Sequence, residues 1–186
     1  MKIVRIFDPE DCLLSVRFEQ ELYDEFARLF EEWADIEYLE EFFTLNEADL
    51  KRPFWKGVSI EEAILKTVEE ASKLRQHFIK LSENKNDDRI EAFRKLFRPL
   101  NKTPDRIFYL EKKKAYGLKE RGWLRIYALK VDDDMYLITG GAIKLTDNME
   151  ERDHTRKELQ KIETVRLFLK NQGIIDEDGM VELFEL

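Results

Sequence analysis

Residues 122–146 read GWLRIYALKVDDDMYLITGGAIKLT, and no other stretch restricts the fold as strongly. Two runs rich in β-branched and aromatic residues flank Asp132-Asp133-Asp134, whose short polar side chains suit a turn. In the first run, 123–131, apolar residues occupy both parities. A strand of that kind is covered on both faces, so it is predicted to lie centrally in its sheet. The second run ends in Gly140-Gly141, with Lys144 following. Paired glycines in a strand predict a β-bulge; the alternative is a point where backbone approaches phosphate.

The rest of the chain supplies helices and a second strand pair. Runs 2–7 and 12–18 flank Asp8-Pro9-Glu10-Asp11 and read as a β-hairpin. Leu22, Phe26, Leu29 and Trp33 then recur at helical spacing, and 36–43 continues as a short helix. Ser59-Ile60-Glu61-Glu62 has capping-box spacing. It opens a long helix with the seam Ile60, Ile64, Val68, Ala71, Leu74, Phe78 and Leu81. Ile90, Phe93, Phe97 and Leu100 predict a further helix. The strand-rich part spans about 107–145. A last helix opens at Asp153 or Thr155, the latter with capping-box spacing to Glu158, and Gly173 ends it. The expected divisions are a hairpin at 1–18, a helical insertion at 19–101 and a strand-rich core with its C-terminal helix at 102–186, all in one domain.

Cys12 is the only cysteine. No intramolecular disulfide can form, and a reducing, cytoplasmic setting is expected. Its apolar surroundings read as those of a buried small hydrophobe. The N-terminus has no signal-peptide pattern, and no apolar run is long enough to span a membrane. The net charge is −8, but it is unevenly spread. Residues 19–50 hold twelve acidic residues and one basic one, whereas 102–130 hold nine basic and three acidic. The Debye length is about 8 Å at physiological salt, so a distant acidic face does not cancel a basic patch.

The run 112–173 resembles the RelE/HigB-like toxins of bacterial toxin–antitoxin pairs. The resemblance is carried by Trp123-Leu124-Arg125-Ile126-Tyr127, by Met135-Tyr136-Leu137-Ile138, and by Gly140-Gly141-Ala142-Ile143-Lys144-Leu145-Thr146, with a C-terminal helix after them. It implies an α+β fold: a RelE-like twisted antiparallel sheet packed with helices, here enlarged by an N-terminal helical insertion. Family members are shorter and basic, so the acidic N-terminal half is a departure. The implied activity is RNA cleavage by an mRNA interferase, an endoribonuclease acting in many cases on ribosome-bound mRNA. The implied partners are a helix-turn-helix antitoxin protein and the mRNA or ribosome, with no membrane and no small-molecule cofactor. By position, Arg125 and Lys144 match the family's cationic site residues. Lys112, Lys113, Lys114, Lys119 and Arg121 would form the RNA-binding basic run.

His154 is a candidate acid/base by residue type, because histidine titrates near neutral pH. Each candidate also has a structural reading. Arg125 could pair with a carboxylate of a covering helix, and Lys144 could be an edge lysine that blocks strand addition. A non-catalytic protein-binding module with the same fold is the alternative function. In a further arrangement, the acidic segment 19–50 would lie over the basic surface and restrain it in cis. Asp176-Glu177-Asp178-Gly179 lacks the ligand pattern of a calcium loop. No zinc or nucleotide-binding motif is present, so no metal is expected.

Overall fold

The computed structural model describes residues 1–7, 10–83, 87–100, 110–117, 122–133, 135–174 and 179. Strands β1 (Lys2–Phe7) and β2 (Glu10–Arg17) pair antiparallel, as the hairpin reading expects. Helix α1 (Glu25–Glu32) starts at Asp24, whose Oδ1 accepts hydrogen bonds from the amides of Phe26 (3.0 Å) and Ala27 (3.2 Å). Leu22 therefore precedes the helix rather than joining its apolar face, and it is 77% exposed. Helices α2 (Ile36–Leu45) and α3 (Glu47–Leu50) follow.

Helix α4 (Ile60–Glu83) is the long seam helix. Its capping box forms in both directions: the Glu62 amide donates to Ser59 Oγ (3.1 Å) and the Ser59 amide to Glu62 Oε2 (3.0 Å). Helix α5 (Asp87–Leu96) is shorter than its periodicity predicts. Phe97 begins strand β3 (Phe97–Pro99) instead. Pro99 cannot donate to a helix, and it biases the residue before it towards extended backbone. Phe97 then stacks on Tyr136 of the sheet, with ring centroids 4.6 Å apart.

Strands β4 (Glu111–Tyr116), β5 (Leu124–Lys130) and β6 (Tyr136–Ile143) form a meander. Helix α6 (Asp153–Asn171) follows. The capping box near its start is Asn148–Glu151, on a preceding single turn. Thr155 does not cap: its hydroxyl donates back to the Met149 and Arg152 carbonyls. Gly173, at φ +77°, closes the helix with the Ile174 amide bonded to the Leu169 carbonyl.

The six strands lie in the order β1-β2-β6-β5-β4-β3. The class is α+β, but the sheet is mixed rather than antiparallel as expected, because β2 pairs with β6 in parallel. The chain leaves β2, runs through the helices and three strands, and returns beside β2 in the same direction. Parallel neighbours require a long crossover of this kind. Strand β5 is central and buried on both faces, as its apolar parities predict.

Helices α1, α2, α4 and α5 cover one face of the sheet through a core that includes Leu29, Trp33, Phe43, Phe78, Trp123 and Ile126. Trp123 is anchored there, its Nε1 donating to Thr67 of α4 at 2.9 Å. Helix α6 covers the other face through Ile162, Val165 and Leu169, packed with Leu14, Tyr127, Leu129 and Leu137. Each large apolar side chain buried this way contributes roughly 1.5–3 kcal/mol.

Between Tyr127 and Ala128 of β5 the register with β6 shifts by one residue, leaving Thr139 as the extra residue beside Gly140. This is the expected bulge. Strand β2 pairs with β6 only at Leu13, Leu14 and Ser15. Beyond that point α1 and α6 approach one another past the glycine pair, and Lys161 of α6 reaches Glu25 of α1 at 3.0 Å.

Candidate functional site

Helix α6 lies mainly across β6, and it does not cover the β4–β5 end of that face. A cleft of about 370 Å³ opens there. Its walls include Lys114 and Tyr116 of β4, Arg125 and Tyr127 of β5, Lys144 just beyond β6, and the loop carrying Asp147, Asn148 and Glu150. Strand alternation explains the grouping. Lys114 lies opposite Tyr127 and Tyr116 opposite Arg125, so all four side chains share one face.

Arg125 is held in place by carbonyls and a ring. Its Nη1 donates to the carbonyls of Gly122 (2.9 Å) and Leu124 (2.7 Å). The guanidinium lies 4.3 Å from the centre of the Tyr116 ring, within cation–π range. Lys144 Nζ donates to the carbonyls of Thr146 and Asp147, each at 2.6 Å. Lys114 Nζ donates to the Leu100 carbonyl at 3.1 Å. Among the described residues no carboxylate forms an ion pair with Arg125, Lys144 or Lys114. Arg98, outside the cleft lining, lies 5.9 Å from the Tyr116 ring.

The electrostatics follow from this crowding. Burial pulls Arg125 below its ordinary value. Lys144 is also lowered, chiefly by burial and then by repulsion from Arg125, with Lys114 adding to it. Such a group of cations gains when an anion enters among them, because the anion relieves both the repulsion and the lost hydration. On the cleft floor, burial pushes the Tyr127 phenol well up, so it stays protonated at neutral pH.

Of the other expected site residues, those described do not line the cleft. Lys112 shares the cleft's face but forms an ion pair with Glu163 of α6. Lys113 points to the opposite face and pairs with Glu111 at 2.8 Å. Lys119 and Arg121 lie outside the described residues. His154 does not line the cleft: its Nε2 is 3.0 Å from the Ile143 carbonyl and its ring packs edge-on against Phe42. Burial lowers its pKa. Gly140 and Gly141 are not open to a phosphate either, since a Cβ at Gly140 would overlap the Glu158 carboxylate and one at Gly141 would meet Leu29. The acidic segment 19–50 packs through α1 and α2 on the other face of the sheet, so it does not cover the cleft.

Tyr116 is not legible in the sequence as a site residue. It is recognisable only once the β4–β5 register places it under Arg125. Among the described residues no cluster of His, Cys, Asp and Glu could hold a metal ion, and no helix is long and apolar enough to cross a membrane. Comparison with protein-family models, with curated proteins and with solved structures finds no match.

Proposed function

We propose that the cleft binds the phosphodiester backbone of single-stranded RNA, and that the protein is a RelE/HigB-like RNA-cleaving toxin component or is derived from one. The observation that carries this reading is the convergence of Lys114, Arg125 and Lys144 on one cleft, with no carboxylate among the described residues paired to them. The order of elements supports it: a hairpin, helices and a short strand, then a three-strand meander and a C-terminal helix.

In this reading Arg125 and Lys144 contact the non-bridging oxygens of the scissile phosphate. Their charges stabilise the extra negative charge that develops as the neighbouring 2′-hydroxyl gives up its proton and bonds to phosphorus while the P–O5′ bond breaks, leaving a 2′,3′-cyclic phosphate and, once O5′ takes up a proton, a 5′-hydroxyl. Arg125 supplies a planar fork fixed by two carbonyls and a ring face. Lys144, whose pKa burial and the neighbouring Arg125 lower, is held towards the same phosphate by the Thr146 and Asp147 carbonyls. Tyr116 offers an aromatic edge beside the cations.

Induced expression is expected to arrest bacterial growth and cleave transcripts, and Arg125→Ala or Lys144→Ala to relieve both effects. A harmless wild-type protein that leaves mRNA intact would overturn the nuclease reading. A non-catalytic protein-binding module is the second reading. It is favoured by the acidic surface of α1 and α2, where Ile36 (63%) and Leu45 (78%) stand exposed.

A further inference from the structure

Behind the cleft floor lie two buried polar atoms without a hydrogen-bond partner among the described residues: the Tyr127 hydroxyl and Oε2 of Glu158. Orphaned buried polar groups are costly and call for a reason. The sheet register places the two together. Tyr127 pairs across the strands with Gly140, and the Glu158 carboxylate occupies the space that a side chain at Gly140 would fill. Directly opposed cross-strand side chains are about 4.5–5.5 Å apart at Cβ. Glu158 thus stands in for the missing neighbour of Tyr127, and its charge acts on the phenol.

The groups around Glu158 come from every adjoining element. Helix α1 contributes Glu25, and Arg28 at 4.0 Å, which is itself held by Glu25 (2.6 Å) and Glu32 (2.7 Å). Tyr38 of α2 also feels the Glu158 charge. Lys161, one turn along α6, lies 3.1 Å from Glu158. On the sheet side stands Tyr127, on whose phenol the charges of both Glu158 and the cleft's Arg125 act. Glu25, Glu32 and Glu158 thus face two cations, so a charged Glu158 leaves the cluster with an excess of negative charge.

We propose that Glu158 takes up a proton when a phosphate group enters the cleft, so that pH sets the affinity of the cleft for its anionic ligand. The proposal rests on the phosphodiester reading of the cleft. An anion among Lys114, Arg125 and Lys144 repels a charged Glu158 behind the floor and favours its neutral form. A neutral carboxyl also removes the excess negative charge that Glu158 shares with Glu25 and Glu32. The proton is available in the neutral range, because burial, reinforced by Glu25, pushes Glu158 up to about 7. Linkage makes the effect reciprocal: if the ligand draws in a proton, protonation tightens the ligand by the same factor.

The test measures binding of a single-stranded RNA oligonucleotide and, separately, of sulfate, an anion that does not titrate in this range. Both are followed between about pH 6 and about pH 8 at fixed ionic strength, with wild-type protein and Glu158→Gln. A carboxyl-resolved NMR titration of the wild type with and without sulfate reads the Glu158 proton directly. Wild-type affinity for both probes is expected to be roughly five- to tenfold tighter at the lower pH. Glu158→Gln should bind about as tightly as the protonated wild type and show little pH dependence, and sulfate should raise the Glu158 midpoint. Equal pH dependence in both proteins, or a midpoint unmoved by sulfate, overturns the coupling and leaves the RNA reading standing. Coupled binding of sulfate with no binding of RNA supports the coupling and overturns the RNA reading. Failure of both anions to bind at any pH overturns both.

Discussion

Replacing Gly141 with alanine is expected to destabilise the fold by about 3 kcal/mol, the upper range for overpacking a core. The added Cβ would lie 2.6 Å from the Arg125 carbonyl oxygen and 2.7 Å from Leu29 Cδ1. Leu29 could turn away, but the carbonyl belongs to β5, the neighbouring central strand. Relief therefore requires the two strands to separate, at the point where β5 carries Arg125. In thermal denaturation a loss of that size lowers the midpoint by roughly 6–12 °C for a chain of this length. A midpoint within about 2 °C of the wild type would show that the sheet is not as tightly closed over Gly141 as described.

The second large effect is a change in stability with pH, and its sign follows from the direction of one shift. Burial, reinforced by Glu25 and opposed by Lys161 and Arg28, pushes Glu158 from its ordinary 4.5 up to about 7. The folded protein therefore holds this proton more tightly than the unfolded chain. The cost of ionising Glu158 in the fold is absent below the unfolded value. It grows as pH rises from about 4.5 to about 7 and is complete above that. Glutamine cannot ionise and avoids the cost. Relative to wild type, Glu158→Gln should therefore be more stable by about 3 kcal/mol at about pH 8 than at about pH 4.5. Paired thermal or denaturant melts at the two pH values measure this difference. Parallel stability profiles for the two proteins would mean that Glu158 is ionised in the fold without cost.

The parts of the fold written in local pattern were readable in the sequence. The seam from Ile64 to Leu81 and the Ser59–Glu62 box specify α4 by spacing alone, and both-parity burial marks β5 as central. The parallel pairing of β2 with β6 was not readable, because it joins residues more than a hundred positions apart and depends on the whole helical crossover. Phe97 was misplaced because it continues the helical phase of Ile90 and Phe93, while Pro99 and stacking on Tyr136 decide its conformation.

The site divides in the same way. Arg125 and Lys144 could be picked out by position, and the structure brings them together with Lys114. The basic run as a unit could not survive strand alternation, which sends Lys113 to the opposite face while Lys112 and Lys114 share one. His154 attracted notice as a residue type, yet its neighbours are a carbonyl and Phe42. Glu158 stands out in the sequence only through its capping-box spacing to Thr155, which the structure does not use. Otherwise it reads as one more acid on a charged helix, and only the absence of a side chain at Gly140 gives its carboxyl a buried place beside Tyr127.

The most direct test of the central claim is the salt dependence of single-stranded RNA binding by the wild type, Arg125→Ala, Lys144→Ala and the double variant. If both cations contact phosphate, each single substitution weakens binding and reduces the slope of log affinity against log salt by about 0.7, and the double by about 1.4. Variants with wild-type affinity and slope, or a wild type that binds no RNA at low salt, would contradict the account.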